Sequence, residues 1–300
     1  MGSHATSYGL VDALHVGRYS WAPSTQVVCY RIGHTLIDTG PPNQWSAVQD
    51  WVAQQHATHG IEQVVVTHHH EDHSGNAGRI AEWLDVPVYA PEASLERLEN
   101  GFSIELYRWV VWGRPRPITA RPFPEGLPLG DGTNLRAIAA PGHADDMVCY
   151  WAEAHGLLWT ADLYISRRPE YLRFDEHVHT LIRSLHRVLS YDFDTVLCGH
   201  RGRIPEGRMA LREKARYLEA LCGVVARRRR SDKQGITGIR NEILGREGWL
   251  YWISGGDFSK RNLITSCLAS DAEQEHVHGE IVRSSSDIAP SHPSPPSFGR

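Results

Sequence analysis

Apolar and polar positions along the chain change period repeatedly, and the changes read as strands alternating with helices. From residue 10 to 31 apolar positions alternate loosely, ending in Val27-Val28-Cys29-Tyr30, and Gly33-His34 then punctuates the way to Leu36-Ile37, which predicts a hairpin. Trp45, Val48, Trp51 and Val52 recur at helical spacing over residues 44–55, a stripe suited to core packing. The run Val64-Val65-Val66 predicts a strand. A helix should begin near Gly75-Asn76-Ala77 and turn Ile80, Trp83 and Leu84 inward, before a further strand at Val86-Pro87-Val88-Tyr89. That order is a βαβ unit and indicates a layered α/β architecture. Residues 135–140, 156–161 and 195–199 are three more strand-like runs.

Beyond Pro205 the period becomes helical. Met209, Leu211, Ala215, Leu218, Leu221, Cys222 and Val225 mark one amphipathic helix, Ile236, Ile239, Ile243 and Leu244 a second, and Leu263, Ile264, Cys267 and Leu268 a third. The Ser- and Pro-rich residues 271–300 cannot bury enough apolar surface to order themselves and are expected to form a disordered tail. The division expected is therefore a domain over 1–205, a helical region over 206–270 and the tail.

The candidate chemistry lies at the ends of the strand-like runs. Directly after Val64-Val65-Val66 comes Thr67-His68-His69-His70-Glu71-Asp72-His73-Ser74-Gly75-Asn76, four histidines and two acids in ten residues. An extended segment turns His68 and His70 to one side, and the following turn delivers Asp72 and His73 to a neighbouring point. Imidazole and carboxylate suit zinc and other first-row ions, so two metal positions are the natural reading. The later runs end in His143 (within Pro141-Gly142-His143), Asp162 and His200, and strand ends along one sheet edge are where sites are built.

Bulk properties narrow the class. The chain has 300 residues, 41% of them hydrophobic, which is ample for a sizeable core. A net charge of −4 argues against a generic nucleic-acid surface. Cys29, Cys149, Cys198, Cys222 and Cys267 are odd in number and scattered, which reads as reduced, buried thiols rather than a disulfide framework. No apolar run is long enough to cross a bilayer and the first residues do not resemble a signal peptide, so a soluble, cytoplasmic protein without a membrane partner is expected.

Leu36-Ile37-Asp38-Thr39-Gly40, then His68/His70/Asp72/His73, then His143, Asp162 and His200 resemble, in order, the five signatures of the metallo-β-lactamase fold superfamily, over about residues 25–205. The resemblance implies an αββα sandwich with the metals along its upper edge, here followed by a C-terminal helical cap like those of glyoxalase II-like enzymes. It further implies two divalent ions, zinc foremost, with iron or manganese accepted by the same ligand types. His68, His70 and His143 would hold one ion, Asp72, His73 and His200 the other, and Asp162 would bridge them. Asp38 would support the loop by hydrogen bonding. The implied activity is hydrolysis by a metal-bridging hydroxide, with Asp72 also orienting the nucleophile. An aspartate at position 162 fits the thioesterase, lactonase and phosphodiesterase branches rather than true β-lactamases. A small-molecule thioester, ester or lactone is accordingly the substrate expected. The alternatives are a phosphodiesterase or RNase Z-like nuclease, a mono-iron dioxygenase, and a noncatalytic metal-stabilised regulator.

Residues 94–129 depart most from a standard pattern. Leu95, Leu98, Phe102, Ile104, Leu106, Tyr107, Trp109, Val110, Val111 and Trp112 make an apolar, aromatic insertion. It reads either as a wall or lid over the metals or as a helix that packs on the sheet or on a second subunit, the latter giving a homodimer. His177 and Tyr164 are candidates to face substrate. Arg167 and Arg168, and Arg227 to Arg230, are candidate anion contacts set against the commoner solvated face.

Overall fold

The computed structural model describes residues 3–18, 25–231 and 235–269, so the expected tail lies outside the described residues. One sheet runs in chain order: β1 (His4–Tyr8), β2 (Val11–Val16), β3 (Val27–Ile32), β4 (Thr35–Ile37), β5 (Gln63–Val65), β6 (Val88–Ala90) and β7 (Arg121–Pro122). The other contains β8 (Leu127–Pro128), β9 (Asn134–Ala139), β10 (Val148–Ala152), β11 (Leu157–Ala161), β12 (Thr195–Cys198) and β13 (Gly202–Ile204), with its strands in the reverse spatial order, β13 to β8.

Strands buried on both faces send alternate side chains into different cores. From β3, Cys29 enters the first core, against α1 (Trp45–His59) and α3 (Ala77–Leu84), while Val28, Tyr30 and Ile32 enter the second, between the sheets. From β10, Val148, Tyr150 and Ala152 face that second core, whereas Cys149 and Trp151 face a third. The third is closed by α6 (Val178–Leu189), α7 (Gly207–Ser231) and α10 (Lys260–Leu268). Three cores between four layers make an αββα sandwich, as expected. Trp159 is 1% exposed between the sheets, edge-on to Tyr30 at 6.4 Å, and burial of a side chain this large stabilises by about 3 kcal/mol.

The helices after residue 206 share that third core: Leu211, Ala215, Leu218 and Val225 of α7 join Leu263 and Ile264 of α10 on the sheet. Between them lie α8 (Ile236–Ile243) and α9 (Trp249–Ile253). The 94–129 stretch forms α4 (Leu95–Asn100), α5 (Leu106–Trp112), β7 and β8. All five cysteines are free and buried. Among the described residues no helix is long and apolar enough to cross a membrane.

His15, on β2, links the sheet to the β12–β13 turn. Its ring stacks on His4 at 4.4 Å, and a Cβ at Gly202 would come within 2.7 Å of its Cε1. Burial, with the neighbouring His4, lowers its pKa to about 4. The unfolded chain therefore takes up this proton first as pH falls. The stability that His15 contributes is complete above about pH 6.5 and is lost as pH falls towards about 4. Urea unfolding at pH 7 and pH 5 should show a smaller drop in midpoint for His15→Phe than for the parent chain.

Candidate metal centre

Two parallel strand pairs build the centre. β4 and β5 run side by side with Ile37 opposite Val65, so Asp38 and the Thr67–Asn76 loop leave the first sheet together. β11 and β12 pair with Ala161 opposite Cys198, which brings Asp162 beside Gly199 and His200. His143 comes from the turn between β9 and β10. Asp38 and Ala161 both adopt positive φ, 56° and 43°, so the chain accepts local strain where it turns these strand ends into the site. After His70, one helical turn, α2 (Glu71–Ser74), redirects Asp72 and His73.

All seven predicted ligands meet at this edge. His70 Nδ1 lies 3.0 Å from His68 Nε2 and 3.2 Å from His143 Nε2, close to the spacing of about 3.3 Å for neighbouring ligands on one tetrahedral ion. Asp72 Oδ2 lies 3.7 Å from both His73 Nε2 and His200 Nε2. Asp162 lies between the two groups: its Oδ2 is 3.2 Å from His143 Nε2 and 3.1 Å from His200 Nε2, and its Oδ1 is 3.4 Å from His73 Nε2. All seven side chains are buried.

The outer ring nitrogens are held by fixed partners. His73 Nδ1 is 2.8 Å from Asp38 Oδ2, and Asp38 also accepts from the Thr67 N–H (2.8 Å) and hydroxyl (2.9 Å). His143 Nδ1 is 2.7 Å from Glu176 Oε1, His200 Nδ1 is 2.5 Å from the Gln26 carbonyl, and His68 Nδ1 is 3.0 Å from Thr67 Oγ1. Partners of this kind fix the tautomer and ring angle of a metal ligand.

The electrostatics fit cations. Burial and the surrounding imidazoles hold His68 and His70 well below the ordinary histidine range, so both are neutral and able to donate a lone pair. Burial works against charge on His73 and His200 as well, but Asp162 and Asp72 outweigh it and push both upward. Burial would raise Asp162, yet His200, His73 and His143 hold its carboxyl well below the usual range. His73 Nε2 and Asp162 Oδ1 are buried without a hydrogen-bond partner, and a Cβ at Gly199 would come 2.8 Å from both Asp162 Oδ1 and the His73 ring. Buried polar atoms seldom lack partners, and these two point where the ligand atoms converge. The residues fit divalent cations.

Several supporting residues escape sequence reasoning. Glu71, fully buried beside Asp72, is gripped by Arg108 of α5, with Nε to Oε1 at 2.8 Å and Nη2 to Oε2 at 2.5 Å. His69 turns away: its backbone N–H and Nδ1 both lie 2.9 Å from Asp146 Oδ2, which also accepts from Ser94 Oγ at 2.6 Å. Arg97 pairs with Asp145, so the His69-Asp145-Asp146 group is a brace joining three loops. The buried Lys214 donates to the Leu163 carbonyl at 2.7 Å, anchoring the turn after Asp162. Trp112 of α5 lies 6.4 Å from the His200 ring. His69 and Glu71 of the histidine-rich stretch and Trp112 of the aromatic insertion are visible in the sequence as residues, but the partners that hold them are not.

Of the remaining candidates, Tyr164 packs in the third core, the backbone N–H of His177 donates to the Gly142 carbonyl, and Arg167 pairs with Glu213 at 3.0 Å. Arg168 lines an open cleft with Arg216 and Tyr217. Arg227 to Arg230 lie at the end of α7, with Arg228 paired to Glu242.

Because Asp38 orients His73 and ties Thr67 to it, Asp38→Ala should weaken metal uptake about 10- to 100-fold in a chelator competition while the chain still folds. Affinity for metal should also rise with pH, since His73 and His200 must release protons that the carboxylates favour; calorimetry in buffers of different ionisation enthalpy measures that release.

A family model described as "Metallo-beta-lactamase superfamily" matches residues 23–200. A hydroxyacylglutathione hydrolase of Idiomarina loihiensis is 39% identical over 125 residues, 42% of this chain and 40% of that protein. A beta-lactamase-like protein 2 homolog of Caenorhabditis elegans is 26% identical over 172 residues, 55% of this chain and 51% of that protein. Thioesterase pkgB of Emericella nidulans is 29% identical over 131 residues, 42% of this chain and 31% of that protein. The chain thus spans about half or less of the length of these curated relatives. Among solved structures, a beta-lactamase domain protein from Burkholderia ambifaria superposes with a TM-score of 0.64 at 15% identity, covering 89% of this chain and 88% of that one. A metallo-beta-lactamase family protein from Thermus thermophilus superposes with a TM-score of 0.59 at 19% identity, covering 89% and 93%. At these identities the structures show the fold alone.

Proposed function

The chain belongs to the metallo-beta-lactamase superfamily, and we propose that it is a dinuclear hydrolase, with zinc as the resident metal, acting on a thioester, ester or lactone of a small acyl substrate. The observation that carries the reading is the position of Asp162. One of its carboxylate oxygens stands 3.2 Å from a nitrogen of the His68/His70/His143 group and 3.1 Å from a nitrogen of His200, where a single residue can serve two ions. The similarity to proteins named hydroxyacylglutathione hydrolase and thioesterase supports an acyl substrate.

When bound, divalent ions supply a water acidic enough to attack at neutral pH and a Lewis acid for the acyl oxygen. The chain's own residues do the rest. His68, His70 and His143 hold one position, and Asp72, His73 and His200 hold the other. The Asp72 carboxylate would also be placed to accept a hydrogen bond from the attacking water and so set its approach. Trp112, from the aromatic insertion, lies against His200 and gives the acyl group an apolar, flat wall that also excludes water.

Elemental analysis of protein purified without added metal, with turnover of thioesters, lactones and phosphodiesters before and after chelation, tests the reading. Two metals per chain and chelator-sensitive acyl cleavage are expected, with Asp162→Ala losing both; phosphodiester turnover alone, or bound metal with no turnover, would overturn it. Trp112→Ala should raise KM for an aromatic acyl thioester about tenfold, roughly 1.4 kcal/mol of lost contact, while changing that for an acetyl thioester little.

A further inference from the structure

The outer nitrogens of His68, His73, His143 and His200 each face an oxygen that can accept a hydrogen bond. His70 is different. Its Nε2, opposite the Nδ1 that converges with His68 and His143, has Arg173 Nη1 at 3.3 Å. A guanidinium only donates. An imidazole that gives its Nδ1 lone pair to a cation carries its proton on Nε2, so at His70 that proton would meet another N–H. An acceptor at the outer nitrogen makes an imidazole a stronger donor to metal; a fixed cation there has the opposite effect.

Arg173 is not free to leave. It is 5% exposed, its Nη2 donates to Asp175 Oδ2 at 2.7 Å, and its Nε lies 3.7 Å from Asp257 Oδ2. Asp257 accepts in turn from the Tyr107 hydroxyl of α5 at 2.5 Å. Backbone pairing of Leu172 with Ser259 fixes the neighbouring segment, and the Tyr107 ring meets Phe258 edge-on at 6.4 Å. The aromatic insertion and the turn before α10 thus hold one guanidinium against one candidate ligand.

We propose that Arg173 is a positioning residue that keeps His70 a weak donor, leaving the ion bound by His68, His70 and His143 electron-poor, and that Asp175, Asp257 and Tyr107 hold Arg173 in that place. The proposal rests on metal occupying the centre as argued above. Its sign is unusual, because removing the residue should tighten metal binding.

The test is zinc affinity of metal-free protein, by competition with a chromophoric chelator, in the parent chain, Arg173→Gln and Arg173→Met. Glutamine puts an amide oxygen within reach of His70 Nε2, whereas methionine only removes the charge. The expected order is Gln tightest, by about tenfold over the parent chain, with Met between the two. Equal gains in the two variants would still support the proposal, with the Arg173 charge as the whole of the effect; unchanged or weaker binding in both would mean that Arg173 supports the ligand, and would overturn it. Should loss of the Arg173 charge prevent folding, Arg173→Gln with Asp257→Asn restores the charge balance, and the same tightening is required of it. A parent chain that took up no zinc would overturn the metal centre itself, and this inference with it.

Discussion

The carboxylate of Asp38 is the contact on which the arrangement of the centre most depends. From the end of β4 it accepts the Thr67 N–H and hydroxyl at the end of β5 and faces His73 Nδ1 one turn later, so a single side chain sets the start of the metal loop and the tautomer of a ligand within it. A buried imidazole with an unfixed outer nitrogen can turn over or take the wrong proton, and its lone pair is then unavailable. Asp38 sits at φ 56°, a conformation that costs about 1–3 kcal/mol outside glycine, and this cost is tolerated where three hydrogen bonds depend on it.

The same demand recurs across the sheets. His68, His70 and Asp72 belong to the first sheet and His143, Asp162 and His200 to the second, so ligand spacing depends on how the sheets meet at this edge. They are tied there directly. The Val148 N–H donates to the Thr67 carbonyl at 3.0 Å, the Val28 N–H to the Gly199 carbonyl at 2.7 Å, and the Tyr30 hydroxyl to the Cys198 carbonyl at 2.6 Å. Apolar packing between sheets is non-directional and would leave the sliding coordinate soft; these bonds, each next to a ligand, remove it.

How far this was legible in the sequence follows from which interactions are local. The residues of the candidate centre could be read because they end or directly follow strand-like runs, and strand, loop and turn geometry is written in neighbouring residues. A layered α/β architecture could be read for the same reason, whereas the αββα order came from the family resemblance. The braces could not: Glu71 meets Arg108 across 37 positions and His69 meets Asp146 across 77, and nothing in either neighbourhood selects the partner. The aromatic insertion was ambiguous because an apolar helix has the same pattern whether it lines a pocket, packs on a sheet or meets a second chain. Its decisive residues are polar. Tyr107 and Arg108 tie α5 to Asp257 and Glu71, and so to the frame of the centre.

Charge explains why such a frame is needed. Glu71 stands next to Asp72 and is wholly buried, and burial together with the neighbouring Asp72 raises its cost of ionisation. A bidentate guanidinium from α5 occupies both oxygens of Glu71, so of the two neighbours it is Asp72 whose carboxylate is left to converge with His73 and His200. Removing one partner of such a buried pair typically costs about 3–5 kcal/mol, far more than the pair adds over apolar packing. The pair is therefore better understood as sorting two neighbouring acids, Glu71 to the frame and Asp72 to the cluster of histidines, than as a source of stability.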